Sequence, residues 1–435
     1  MKISILSLFL ELYKPFFNTS LIKRACEKGI ISYQCINLFD MVQPKERVDA
    51  PIYGPGSGML IKPQVIEQAI MQSESIYGPA FKIFFTPQGK KCNQSFLSRL
   101  VNDLRSHKHI LLLASRYEGI DERVEEYYAD LSLSVGDFVV MGGDVPAMLF
   151  LEGFLRLLPG VVGKEESVVH ESFSGPFFDW PAYTEPVEWK GMKVPEVVRS
   201  GDHTKIAKWR EERAIKKTVK NNFSWLRNYA LNTQHKKQVR SFIPAHYIVL
   251  MHDQVKLPKG RIGTTSVTSI DIHDIARSAR TYDITQYFIV TPLKDQQKIV
   301  TTLMDFWLSD VGIEYNPQRH EALSRVRLCN SLKESIQTVI KKEQKNPIIM
   351  GTSARSEYGG IETVFYDEQE KIWSQDRPVL IIFGTGNGLS DKIFAVCDYM
   401  LPSLEGVSDF NHLSVRSAAG IVLDRWLGLY SKYPD

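Results

Sequence analysis

The run from His109 to Ala114 carries three consecutive leucines and leads without a spacer into Ser115, Arg116, Tyr117, Glu118 and Gly119. A chain that buries such a run and then delivers charge has few options. It forms a strand inside a sheet, ending at the edge where α/β proteins assemble their sites. From Arg116 to Arg123 five of eight side chains are charged, which packing alone does not explain. A second β-type run, Ser132 to Met141, ends in Gly142 and Gly143, and Asp144 is the expected N-cap of an apolar helix through Leu158. Strand, glycine turn and helix start form a small-molecule pocket.

That pocket is not a common phosphate cradle, because neither GxxxxGK[ST] nor GxGxxG occurs and nothing basic follows the glycines. Glycines let the backbone approach a ligand closely, so an adenosine held by backbone and apolar contacts suits it better than a triphosphate. The competing reading of GGD alone is a tight turn with no ligand.

At 435 residues the chain is too long for one average domain. Five cysteines, Cys26, Cys35, Cys92, Cys329 and Cys397, lack CxxC or metal-type spacing. They are expected to be buried thiols in a reducing compartment, with no structural metal. The opening MKISILSLFLELYKPF is too short in its apolar part to span a bilayer and has no small-residue cleavage site. It reads as a first strand, Met1 to Leu8, of a cytoplasmic protein with no membrane segment. Between residues 181 and 240 there are 14 Lys and Arg against 6 Asp and Glu, while the whole chain is only +3. Such an excess suits phosphate contacts, although a solvated helix face gives the same pattern. After Ser241, the runs HYIVLMHD, QYFIVTPL, NPIIMGTSAR and PVLIIFGTGNGLS read as strands alternating with helical stretches, which makes another α/β domain.

RYEGIDERV, VGDFVVMGGDVPA, LRLLPGVVG, ESF, YTEPVEWKGMKVPEVVRSGDH and KIAKWR stand in an order and spacing that resembles the bacterial tRNA (guanine-N1)-methyltransferase family, TrmD, over Met1 to Thr218. The resemblance implies a SPOUT-type α/β domain with a trefoil knot, S-adenosylmethionine as donor, a homodimer, and methylation of the tRNA guanine just 3′ of the anticodon. It implies these boundaries: a knotted domain at 1–163, a linker at 164–178 and a basic helical tRNA-binding domain at 179–240. A second SPOUT-like domain, resembling RNA methyltransferase domains, then occupies 241–435.

Carried over by position, the donor pocket comprises Phe85, Thr86 and Pro87, then Ser115, Tyr117 and Gly119. It continues through Val135, Gly136, Asp137, Phe138, Val139, Val140, Gly142, Gly143 and Pro146. Ser115 replaces the usual glycine. Guanine N1 is protonated at neutral pH, so the reaction needs a base. The family's aspartate in DSF is here Glu171, near Arg156, with His170 an alternative base and a solvated linker residue the competing reading. Glu118 is placed at the guanine or at a magnesium ion. Asp49, Arg116, Asp179, Tyr183, Lys205 and Lys208 are expected at the RNA, with Asp202 capping the helix of the last two. Glu185 stands where the family has arginine. The loop YGPGSGM resembles the family's lid, with a plain surface loop as alternative. In the second half, Gly384, Gly386 and Gly388 of FGTGNGLSD and Asn411 and Ser414 of FNHLSVRSA suggest a second donor pocket. The alternative is a retained fold without chemistry.

Overall fold

The structure, a computed structural model, describes residues 1–55, 57–163, 171–355 and 360–430. His170, the alternative base, lies outside the described residues. The chain divides into two compact units, Met1–Gly175 and Pro176–Asp435.

In the first unit five strands pair all-parallel in the spatial order Ser32–Asn37, Lys2–Ser7, His109–Leu113, Phe81–Lys91, Leu131–Ser134. Continuous apolar strands are what a sheet covered on both faces requires. Ile110 and Leu112 face one core with the helices Gln94–Asp103 and Asp144–Leu155, while Leu111 and Leu113 face another with the helix Pro63–Tyr77. On the other side of Lys2–Ser7, the strands His109–Leu113, Phe81–Lys91 and Leu131–Ser134 end side by side, and the loops that follow them open a crevice.

The second β-type run proves shorter than expected. Its strand is Leu131–Ser134, at the sheet edge, and its one neighbour runs out at Lys91, which pairs with Ser134. Residues 135–143 therefore form a loop. The pairing of Phe81–Lys91 jumps from Phe85 to Lys90 opposite Leu133, so Thr86 to Gly89 bulge out of the ladder.

In the second unit six strands, again all-parallel, lie in the order Val326–Cys329, Gln286–Val290, His246–Met251, Val379–Gly384, Ile348–Gly351, Tyr399–Met400. Apart from the added edge strand Val326–Cys329, this is the order of the first sheet. The helix His203–Asn221 does not stand apart from this unit. Ile215, Val219, Phe223 and Leu226 enter one apolar cluster with Ile248, Ile381, Trp373 and Trp426, so the packing shows no break at 240. Of the cysteines, only Cys329 is fully buried and the other four are half-buried. Burial pushes the Cys35 thiol up to about 11 and the Cys397 thiol up to about 12, which leaves them unreactive. No helix among the described residues is long and apolar enough to cross a membrane.

Candidate active site and nucleic-acid interface

A cavity of about 230 Å³ opens at the strand ends of the first unit. Thirteen of the fifteen expected donor-pocket residues line it: Phe85, Thr86, Pro87, Ser115, Tyr117, Gly119, Val135, Phe138, Val139, Val140, Gly142, Gly143 and Pro146. Gly136 and Asp137 do not, and Asp137 instead pairs with Lys91 at the surface. Leu133 and Ser134 line it unexpectedly, because the strand ends there and exposes its last residues to the crevice. The bulge after Phe85 turns Thr86 and Pro87 into the same space. Tyr117 holds a left-handed backbone, φ 59°, rare for a residue with a side chain and a mark of a constrained site.

Of the glycines lining the cavity, Gly143 is the one whose Cβ would meet backbone. A Cβ there would stand 2.7 Å from Ser115 N and 2.9 Å from Ala114 Cα, both backbone, and Gly143 N–H donates to Ser115 O at 2.7 Å. The two strand-end loops are thus clasped together. Among the described lining residues Glu118 is the single charged one. A wall of backbone and apolar groups with one carboxylate and no cation fits an adenosine bearing a sulfonium, and rejects phosphate.

Asp144 corrects its sequence reading. The helix is capped by Gly143 without a side-chain bond, and the Asp144 carboxylate is wholly buried. It accepts hydrogen bonds from Ser7 Oγ, from Tyr13 OH at 3.0 Å and from Arg116 Nε at 2.8 Å. Burial, with this carboxylate beside it, drives the Tyr13 hydroxyl far above its ordinary range. Arg116, expected at the RNA, is committed here to the core: it neutralises a buried ion, lies over the Phe9 ring and abuts Gly142. Asp49 is likewise buried, with both oxygens held by Arg47 at 3.0 and 2.8 Å, and the exposed group there is Arg47.

The hairpin Asp49–Pro51 with Met59–Ile61 carries the glycine loop. Its second strand is bonded to the pocket, Glu118 N to Met59 O at 3.0 Å and Ile61 N to Gly119 O at 3.2 Å, so the loop is hinged on cavity residues. Glu171 forms an ion pair with Arg156 at 2.5 Å, which also raises the Arg156 pKa. Neither lines the cavity. Among the described residues no three His, Cys, Asp or Glu side chains gather as a metal site, so Glu118 offers magnesium only one carboxylate and no step is assigned to that ion.

In the second unit Asp202 caps the helix His203–Asn221 as expected, accepting from Lys205 N at 3.0 Å. Lys205 and Lys208 are exposed. Arg210 lies over Trp180 and Arg213 over Trp209, whose ring neighbours half-exposed Tyr183. Charge interleaved with aromatic faces is what gripping a nucleic acid requires. Asp179 gives its backbone carbonyl to Lys217 at 3.4 Å. A second cavity, about 750 Å³, lies at the strand ends of this unit and is lined by Gly384, Gly386, Gly388, Asn411 and Ser414, together with His252, Asp271, Arg355 and Arg416.

Residues 1–228 match the family described as tRNA (guanine-1)-methyltransferase TrmD, and residues 245–428 match one described as SAM-dependent RNA methyltransferase. A tRNA (guanine-N(1)-)-methyltransferase of Nitratidesulfovibrio vulgaris is 35% identical over 98% of this chain and 99% of its own length. A second so described, from Oleidesulfovibrio alaskensis, is 34% identical over the same shares. One from Bacillus subtilis is 36% identical over 55% of this chain and 98% of its own length. With its first 228 residues matching that family and two relatives matching end to end, the chain belongs to the TrmD family of tRNA (guanine-1)-methyltransferases and carries a second domain of the SAM-dependent RNA methyltransferase type.

Proposed function

We propose that this chain methylates N1 of the guanine immediately 3′ of the tRNA anticodon, using S-adenosylmethionine held in the first cavity. The observation that carries the reading is the cavity lining: backbone-rich strand ends, apolar walls and the single Glu118 carboxylate. The donor supplies a methyl group whose bond to sulfur breaks as the bond to N1 forms. Glu171 accepts the N1 proton and Arg156 fixes the orientation of its carboxylate. The residue is one methylene longer than aspartate, which alters reach and leaves the carboxylate chemistry unchanged.

The chain works as a homodimer in this reading. The Arg156–Glu171 pair lies outside the lining of its own cavity, so a second copy brings donor and base together. Val139 and Met141, 83% and 90% exposed, join Val145 and Leu149, one turn apart on the same helix, as an apolar patch beside the cavity. The trefoil knot belongs to the same proposal, supported by the clasp between Ser115 and Gly143. So does a second donor site between residues 384–388 and 411–415 of the second cavity, supported by the shared strand order of the two sheets.

The test is single-turnover methyl transfer to tRNA. Glu171→Gln keeps size and polarity but accepts no proton, so the rate falls about a hundredfold or more while donor affinity stays. Glu171→Asp retains substantial activity. A near-native rate in the glutamine variant removes Glu171 from the chemistry. Mixed dimers of Glu171→Gln with a donor-pocket variant, Gly143→Ala, regain activity if the base crosses between copies, and stay inactive if it does not.

A further inference from the structure

The strand His246–Met251 is flanked by two buried histidines with different fates. His246 uses both ring nitrogens: Nδ1 bonds Pro244 O at 2.7 Å and Nε2 accepts Trp426 Nε1–H at 2.9 Å. It is a satisfied core residue. His252, fully buried, uses only one. Its Nδ1 lies 3.1 Å from Thr265 Oγ1, which lies 2.5 Å from Thr385 Oγ1, which donates to Met251 O at 2.8 Å.

Followed back from Met251, that relay sets the tautomer. Thr385 gives its proton to the carbonyl, Thr265 gives its proton to Thr385, and Nδ1–H gives its proton to Thr265. The other nitrogen, Nε2, is then a bare acceptor. It has no partner among the described residues, and of the buried side-chain atoms without one it alone belongs to a cavity-lining residue. Burial pushes the imidazole down to about 4, so it is neutral at physiological pH, against smaller upward effects from Asp271 and the Ser266 backbone. An orphaned buried acceptor costs free energy unless a ligand satisfies it.

The cavity also has room for that ligand. At about 750 Å³ it is much larger than the first unit's 230 Å³ cavity at the equivalent strand ends. Its walls include His252, Thr265, Arg355 and the Asp271–Arg416 pair, whose atoms are 3.3 Å apart, whereas no histidine or arginine lines the smaller one. The unit holding this cavity also holds the basic helix. Arg227, buried, donates to Asp424 O at 2.7 Å and Gly428 O at 2.8 Å, at the end of the helix Val415–Leu427 whose beginning carries Arg416. An RNA gripped by exposed Lys205 and Lys208 is therefore tied to this cavity by a continuous core.

We propose that the surplus volume is an acceptor-nucleotide subsite in which His252 Nε2 takes a hydrogen bond from an N–H or O–H of tRNA, so that the second domain methylates a second tRNA position. The inference rests on the second cavity being a donor site. In the step, the sulfonium–methyl bond breaks and a bond from methyl to the nucleotide N or O forms. Sulfur becomes a neutral thioether and the displaced proton leaves to water.

Three measurements on the full chain test it. Calorimetry with S-adenosylmethionine gives two sites per chain. Mapping methylated nucleotides on unmodified total tRNA gives a second position, and His252→Leu lowers it about tenfold or more relative to the guanine product made in the same tube, on the scale of one buried hydrogen bond. His252→Asn, which can present an acceptor oxygen, recovers part. Nitrogen NMR of labelled His252 shows Nε2 unprotonated in the free chain and shifted when tRNA and S-adenosylhomocysteine are added. One bound donor per chain overturns the donor reading on which this rests. Two donors with an Nε2 signal unmoved by saturating tRNA overturn the acceptor subsite alone, and a single methylated position overturns the second activity.

Discussion

Replacing Asp144 by Asn separates two physical roles that the sequence leaves indistinguishable. For an N-cap the change is nearly neutral, because Asn and Asp cap about equally well. In the structure Asp144 is instead a buried anion fed by Ser7, Tyr13 and Arg116. The amide removes the counter-charge of Arg116, whose side chain is only 22% exposed, and turns one acceptor into a donor facing Ser7 or Tyr13. Breaking a buried pair on one side costs ~3–5 kcal/mol, and the partial exposure of Arg116 places the figure near the lower end, about 3 kcal/mol. At ~2–4 °C per kcal/mol for a unit of this size, the melting of the first unit drops by about 6–12 °C. Differential scanning calorimetry of the full chain reads it, with the second unit's transition as internal reference. Donor affinity falls too, since a loosened Arg116 presses on Gly142. Adding Arg116→Met removes the orphaned charge and restores part of the loss. An Asn variant melting within about 1 kcal/mol of the parent, the scale of a cap, refutes the buried-ion account.

Three further outcomes follow from local geometry. Gly143→Ala drives a Cβ into the backbone of Ser115 and Ala114, at an overpacking cost of ~1–3 kcal/mol, so calorimetric S-adenosylmethionine affinity at the first site drops about tenfold or more, whereas Gly163→Ala, with nothing within 4 Å, leaves it unchanged. Lys205→Glu weakens tRNA binding and flattens the dependence of log affinity on log salt by about the contribution of one phosphate contact; a slope equal to the parent's removes Lys205 from the interface. Burial pushes His246 down to about 3 and His252 down to about 4, both below the ordinary 6.5. The unfolded chain therefore binds protons that the native unit refuses, and stability, full above about pH 6.5, falls by ~1.4 kcal/mol per pH unit per histidine as pH drops toward those values. Urea melts between pH 7 and 5, followed by tryptophan fluorescence, check this, and His246→Gln reduces the slope.

The gathering of the first cavity's residues was legible because its parts are local. A leucine run, a charged turn and a glycine pair each announce a strand end, and strand ends are where such sheets bind ligands. What escaped was the partner each group finds in the fold. Ser7 and Tyr13 reach Asp144 from more than 130 positions away, and a buried ion before an apolar helix has the same sequence signature as a cap. The loop 135–143 reads as strand by its valines, yet the ladder stops where its neighbour stops, at Lys91. Asp49 looked free because nothing in the sequence says that Arg47, two residues earlier, closes over it.

The two sheets of this chain repeat one strand order, yet their cavities are completed differently. In the first, the wall carries Glu118 as its one charged group and the Arg156–Glu171 pair lies outside it, which is what the proposed dimer would bring together. In the second, a buried acceptor and an ion pair already face the cavity, so recognition of the nucleotide is built into one chain. That difference has a physical origin at the end of the first strand and just beyond it. Ser7 and Tyr13 are spent on holding Asp144 in the core, whereas His252, at the corresponding end of His246–Met251, is held by Thr265 through one nitrogen and keeps the other for a ligand. A group already fixed by its neighbours loses little entropy on binding. The second cavity is therefore preorganised for a nucleotide in a way the first is not, and the basic helix, built into the same core, is the element that would deliver it.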